Sequence, residues 1–329
     1  MYGVFASHRD RNDNAVVPLG RRLIARWLSI DESEALFARR GFASTPAQPR
    51  LECAGMAFIS GYNHALAAEN AASILRHVSS TSHRQRGFAA EGAAMGSAIR
   101  EALLPWTSSL GETLRALSVC YPHLAHVGVG WAIARMPFAR RWLVPQLDPR
   151  LLPLSTDGQG FHDGYFLGLT AATRRRPAGA WGRIYDQGLG RSLWFICGAD
   201  AEALCRLVGS QYADRQDDLW AGIGLACAYA GGADAGGLDT LRRGSGPSLR
   251  WLRQGAAFGV SAHAKAGAVP DESAEIAAAI CGVDSAALIR LVDEEFEKTA
   301  WVCQPDAFQR WRGQIADALC PADATRRFQ

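Results

Sequence analysis

The chain has no C-x-x-C pair. Its 8 cysteines lie far apart, so neither a zinc site nor a disulfide framework is expected. They read as small buried apolar residues in a reducing compartment. An excess of one charge is also missing: 35 Lys and Arg stand against 32 Asp and Glu, a net +3. That balance leaves no electrostatic footprint for nucleic acid. Lysine is scarce beside arginine, a bias expected of a GC-rich genome rather than of a binding role. The most apolar stretch, Val127 to Phe138, is interrupted by Arg135 and is too short to span a bilayer; it reads as a buried helix. Met1 to Gly20 carries Arg9, Asp10, Arg11 and Asp13 with no apolar run, which excludes a secretory signal there. Strict alternation of apolar and polar residues is scarce, so strands are not expected and the fold reads as all-α. No Ser-His-Asp order, H-E-x-x-H, Rossmann or Walker pattern stands out.

What is present is repetition. Ile196-Cys-Gly-Ala-Asp-Ala-Glu-Ala-Leu-Cys-Arg-Leu-Val208 returns 84 residues later as Ile280-Cys-Gly-Val-Asp-Ser-Ala-Ala-Leu-Ile-Arg-Leu-Val292, with nine of thirteen positions identical. Gly55-Met-Ala-Phe-Ile-Ser-Gly-Tyr62 lines up with Gly158-Gln-Gly-Phe-His-Asp-Gly-Tyr165. Ala90-Glu91-Gly92 matches Asp186-Gln187-Gly188, and Gly128-Val-Gly130 matches Gly222-Ile-Gly224. A weaker echo sets Gly255-Ala-Ala-Phe-Gly259 against Gly164-Tyr-Phe-Leu-Gly168. The expected organisation is an internally duplicated helical fold, with two full copies and a partial third. Residues 1–18 read as a tail, 19–150 as N-terminal helices and copy one, 151–240 as copy two, and 241–329 as the partial third copy and a C-terminal tail.

Local signals place the helices. Asp31 is an expected N-cap before Glu32–Arg40, and Leu19, Leu23, Ile24, Trp27 and Leu28 recur at helical spacing ahead of it. Long helices are expected over Ala54–His77, Glu91–Leu104, Phe161–Thr173, Ala199–Tyr212 and Leu219–Ala230. Gly128 and Ala132, and Gly222, Ala226 and Ala230, form small-residue stripes that allow close helix packing. Gly158-Gln-Gly160 and Gly188-Leu-Gly190 lack a preceding strand and a following Lys-Ser/Thr. They read as tight turns rather than phosphate loops.

Copy two carries polar groups where copy one is bland. Asp157 answers to Ala54, His162 to Ile59, Asp163 to Ser60, Asp186 to Ala90 and Arg191 to Met95; Asp217 and Asp218 answer to His123 and Leu124. Buried carboxylates are costly unless paired or used. Clustered in a cleft they can move protons. Asp157, His162, Asp163, Asp186, Asp217 and Asp218 are therefore candidate catalytic residues, with the alternative that they cap helices and form surface pairs. Tyr165, Tyr185, Arg191, Trp194 and Trp220 are candidates to line a substrate pocket, and aromatics there suit an apolar ligand or a plain core alike. Asp214, Asp217 and Asp218 could instead hold magnesium, yet adjacent aspartates on a helix point about 100° apart, and helix capping explains them equally well. His123 and His126 stand three apart without an evident third metal ligand. The expectation is metal-free acid–base chemistry.

Three runs carry a resemblance: Asp157-Gly-Gln-Gly-Phe-His-Asp-Gly-Tyr-Phe166, Tyr185-Asp-Gln-Gly-Leu-Gly-Arg-Ser-Leu-Trp-Phe195, and Asp217-Asp-Leu-Trp-Ala-Gly-Ile-Gly-Leu-Ala-Cys-Ala-Tyr-Ala-Gly-Gly232. Together they resemble a bacterial family of unknown function associated with enediyne and related polyketide gene clusters. The likeness runs from Phe37-Ala-Arg-Arg-Gly-Phe42 to about residue 310. It implies a cytoplasmic protein of secondary metabolism acting on an apolar polyene or polyketide chain, and it supplies no mechanism. The expectation is an enzyme that isomerises or cyclises such a chain, or an isoprenoid, through carboxylates. The alternative is a non-catalytic accessory protein that holds a polyene or docks on a polyketide synthase or another pathway enzyme.

Overall fold

The computed structural model describes residues 25–104, 109–211, 215–302 and 304–320. Every regular element among them is helical, in agreement with the expected all-α class. The helices of five or more residues are α1 (Gln48–Ala67), α2 (Ala71–Ser80), α3 (Arg86–Leu103), α4 (Leu110–Leu117), α5 (Pro122–Arg135), α6 (Pro153–His162), α7 (Leu169–Arg175), α8 (Gly179–Ile196), α9 (Ala201–Gln211), α10 (Gln216–Ala230), α11 (Ala235–Gly244), α12 (Leu249–Lys265), α13 (Asp271–Cys281), α14 (Ser285–Lys298) and α15 (Asp306–Ala318). A π-helical turn, Asp163–Leu167, follows α6. No helix among the described residues is long and apolar enough to cross a membrane.

Glycine spacing organises the core. Helices α1, α3, α5, α6, α8, α10 and α12 pack each against the next in chain order. Four of them carry G-x-G, which places two glycines about 200° apart around the helix. One glycine meets the helix before and the other the helix after. On α6, a Cβ at Gly158 would overlap the Val127 carbonyl of α5, and a Cβ at Gly160 would overlap the Tyr185 carbonyl of α8. Gly188 and Gly190 of α8 sit in the same way on Asp157 of α6 and Leu219 of α10. Backbone-to-backbone approach of this kind offsets the roughly 1 kcal/mol that each helical glycine costs relative to alanine. The turns expected at Gly158–Gly160 and Gly188–Gly190 are thus replaced by helix interiors. Local propensity favours a turn, and close packing on both flanks overrides it.

The same spacing sets the inner face. The residue before the first glycine and the residue three after it lie one turn apart on one side of the helix. In the G-x-G helices these pairs are Val127 and Trp131, Asp157 and Phe161, Gln187 and Arg191, and Ala221 and Leu225, all buried except the partly buried Leu225; Glu91 and Met95 stand in the same way about Gly92, and Gln254 and Phe258 about Gly255, and these four are buried. The glycines that tie the helices together therefore also aim a defined set of side chains at the centre.

Other boundaries shift for local reasons. The helix expected over Ala54–His77 breaks after Ala67, because Asn70 caps α2 by accepting from the Ser73 N–H. Asp31 caps as expected, accepting from the Ser33 N–H, but Leu36 turns extended and divides Glu32–Arg40 into two short turns. The helix expected over Phe161–Thr173 is interrupted by Gly168 at φ +81°. Leu19, Leu23 and Ile24 lie outside the described residues.

The thirteen-residue repeat builds one corner twice. Gly198 and Gly282 take positive φ at a helix end, and Asp200 and Asp284 then cap α9 and α14 through the Ala203 and Ala287 N–H groups, both at 2.9 Å. The helices entering the two corners differ in place: α8 belongs to the inner row, while α13 packs outside α12.

Candidate functional site

The inner faces of the row enclose an apolar cavity of about 100 Å³. All seven inner helices reach it, and so does the loop-and-turn segment before α1, through Ile30, Glu34 and Arg40. Aromatic rings form much of the wall. The Trp131 ring lies 4.4 Å from Phe58 and 4.9 Å from Phe161, and Tyr165 lies 5.8 Å from Phe161. The π-helical turn carries Tyr165 into this cluster, where the Arg40 guanidinium sits 5.5 Å from its ring centre. Burial pushes the Tyr165 hydroxyl up to about 12, so it stays protonated and can only donate or accept a hydrogen bond.

A buried cluster of charged groups stands in this wall. Arg191 bridges two carboxylates, at 3.2 Å from Asp157 and 3.5 Å from Glu91. Asp157 also accepts from the Gln187 side-chain amide at 2.8 Å. The Arg191 guanidinium lies 4.9 Å from the Phe161 ring centre. Two acids thus share one cation away from water. Burial is the main cause that raises both carboxyls; Arg191 opposes it, and for Glu91 the neighbouring Asp157 adds to it. Glu91 is pushed up to about 7, the range of a working general acid or base. The Trp131 indole N–H, buried in the same wall, is a further group that favours the ionised form of Glu91.

Of the catalytic candidates named from the sequence, Asp157 lines this cavity, as do Tyr165 and Arg191 among the substrate-binding candidates. The others are grouped elsewhere. Asp163 takes the Tyr185 hydroxyl at 2.9 Å, Arg175 at 3.1 Å and the His162 ring at 3.0 Å. Asp186, with no exposed surface, is held by Arg176 at 2.7 Å and Arg215 at 3.0 Å. Asp218 is held by Arg183 at 3.0 Å and by the fully buried Arg312 at 3.1 Å. Asp217 accepts from the Ser248 hydroxyl at 2.9 Å. The adjacent aspartates Asp217 and Asp218 therefore turn to different partners, and Asp214 lies outside the described residues. Trp194 donates to the Gly231 carbonyl at 3.1 Å, and Trp220 is buried in the core. His126 donates from Nδ1 to the Pro122 carbonyl and accepts at Nε2 from the Asp148 N–H, so both nitrogens are engaged.

Glu91 is the member of the site that a search for polar gains in copy two passes over. Its signal was positional: Glu91 stands before Gly92 as Gln187 stands before Gly188. Glu91 lines the cavity itself, and Gln187 donates to the cavity-lining Asp157 at 2.8 Å.

No curated protein and no solved structure matches the chain. The ordered motifs, however, fall within a stretch that one family model covers almost entirely. Residues 20–319 match the family described as a protein of unknown function, DUF1702, and the chain belongs to that family.

Proposed function

We propose that the protein is an enzyme of natural-product biosynthesis that takes an elongated polyene, polyketide or isoprenoid chain into the central cavity and isomerises or cyclises it by acid–base chemistry. The observation that carries this reading is the surplus of acid over base in an apolar wall: two buried carboxylates on one arginine, with Glu91 near 7. Protonated Glu91 gives its proton to one carbon of a conjugated segment. The positive charge left on the chain is sheltered by the faces of Trp131, Phe161 and Tyr165. A second carbon then loses a proton to Asp157, and a double bond has moved or a ring has closed. The chain gains one proton and loses one, so no oxidant or reductant is required, and exchange with water resets both acids. A cytoplasmic setting and an enediyne-type polyketide pathway, with a synthase or other pathway enzyme close by, belong to this reading through the three motifs quoted above.

A second reading is favoured by one contact set. Asp157 is already ion-paired with Arg191 and accepts from Gln187, as it would in an accessory protein that only shelters a reactive chain. The two readings part in heavy water with a conjugated tetraene acid, cis-parinaric acid, as probe. The enzyme reading expects deuterium in the recovered chain and a shifted absorbance, with Glu91→Gln binding the probe but adding no deuterium. Binding without deuterium in the wild-type protein would favour the accessory protein. A probe that does not bind at all would contradict both.

A further inference from the structure

The central cavity shares walls with two side chambers, and their charges differ. One chamber, of about 220 Å³, meets the cavity at Ala54, Phe88, Tyr229 and Ala230. The other, of about 270 Å³, meets it at His123, Val292 and Trp311. In the second chamber each cation has its own acid: Lys265 with Asp293 at 3.0 Å and Arg150 with Asp148 at 3.1 Å. In the first chamber two arginines share a single carboxylate oxygen. Arg50 and Arg84 both donate to Oε2 of Glu272, at 2.5 and 3.0 Å. His263, on the same wall, donates to the Tyr229 carbonyl and stacks on the Tyr229 ring at 4.2 Å. Burial holds that imidazole at about 4, so it is neutral and adds no charge. The chamber therefore carries a surplus positive charge on two side chains that are 39% and 56% exposed. It adjoins the apolar cavity through the edge-to-face pair Phe88 and Tyr229, 5.2 Å apart.

We infer that the Arg50–Arg84 chamber is the head-group site for an amphipathic substrate: a carboxylate or phosphate sits on the two guanidiniums while its apolar chain passes Phe88 and Tyr229 toward Glu91. This rests on the reading of the central cavity as the chain site, and it adds a substrate class, a chain with one anionic end. Arginine suits either anion, because its planar fork binds both carboxylate and phosphate oxygens. Glu272 holds the pair in place of the ligand, so an arriving anion takes over donors that are already aimed. The salt-bridged, balanced chamber at His123 has no such surplus, which gives the bound chain a direction.

The test compares cis-parinaric acid with its methyl ester by fluorescence titration, and farnesyl phosphate with farnesol by displacement of the ester. The wild-type protein should prefer each anion over its neutral partner by at least five-fold, and the preference should shrink as salt is raised. The double variant Arg50→Gln/Arg84→Gln should lose the preference with ester affinity unchanged. Glu272→Gln, which frees both guanidiniums, should strengthen anion binding several-fold. A preference for only the acid or only the phosphate identifies the head group. Ester binding with no anion preference, or a preference that survives in the double variant, overturns the head-group site alone. Failure of every probe to bind, the neutral ones included, overturns the cavity reading with it.

Discussion

Two kinds of buried carboxylate sit in this core, and they differ in how many cations surround them. At the central cavity Glu91 and Asp157 share Arg191. Around it the ratio is inverted: Asp186 has Arg176 and Arg215, and Asp218 has Arg183 and Arg312. An acid between two arginines is a structural bond, because it neutralises charges that would otherwise be buried alone. An acid that must share its arginine keeps its proton more readily and can give it away. Burial pushes Asp186 up to about 6 even between two arginines, but it does not line the central cavity. The shift alone does not make a site; the shift together with an apolar space does.

The comparison is broken most forcefully at Asp218. Asp218→Ala leaves Arg312, which has no exposed surface, without its carboxylate, and should cost about 3–5 kcal/mol of unfolding free energy. Urea denaturation reads this. A loss under 1 kcal/mol would mean that Asp218 is not the clamp described, and would reopen it as a functional group.

A second substitution asks whether the glycine row or the ion pairs set the inner face. A Cβ at Gly188 would collide with the Asp157 carbonyl, which belongs to backbone and cannot swing aside. Gly188→Ala should cost about 1–3 kcal/mol, and it should displace α6 and α8 enough to weaken probe binding at the cavity. Gly209→Ala is the control: the space beside it is open, and the change should be neutral or slightly stabilising.

The smallest expected effect sharpens the contrast through pH. The Glu91 carboxyl rises on folding from 4.5 to about 7. Its contribution to stability is therefore fully present below pH 4.5 and is lost as pH rises through 7. Glu91→Gln should match the wild type in stability at pH 4 and exceed it by on the order of 2 kcal/mol at pH 8. Thermal melts across that range check the crossover. Equal stability at both pH values would mean that Glu91 is ionised at little cost, which an acid beside an apolar cavity would not be.

Much of this was legible in the sequence, and the gaps have physical causes. The helical class followed from missing alternation, and the thirteen-residue recurrence was visible, though the caps that it encodes at Asp200 and Asp284 were not read from it. The G-x-G pairs were visible, but their meaning was not. Glycine in isolation signals a turn, and only the neighbouring backbone reveals that the close approach lies inside a helix. Asp157 and Arg191 were found because they are polar where the aligned Ala54 and Met95 are not, and Tyr165 because it adds an aromatic ring beside them. Asp186 and Asp218 carried the same signal, yet their arginines come from distant elements, 29 residues away for Arg215 and Asp186. No reading of polar gains could separate an acid that meets two such partners from one that meets a cavity. Glu91 escaped for the opposite reason, since it sits in a stretch whose other residues read as bland.

Everything proposed for the cavity turns on a carboxylic acid that is still protonated near neutral pH and faces the apolar space. Glutamate labelled with ¹³C at the carboxyl, followed by NMR in the wild type and in Glu91→Gln, isolates this one group. A single resonance, absent from the variant, should titrate near pH 7 and move when cis-parinaric acid methyl ester binds. A Glu91 signal already ionised at pH 5, or one that ignores the bound chain, would contradict it.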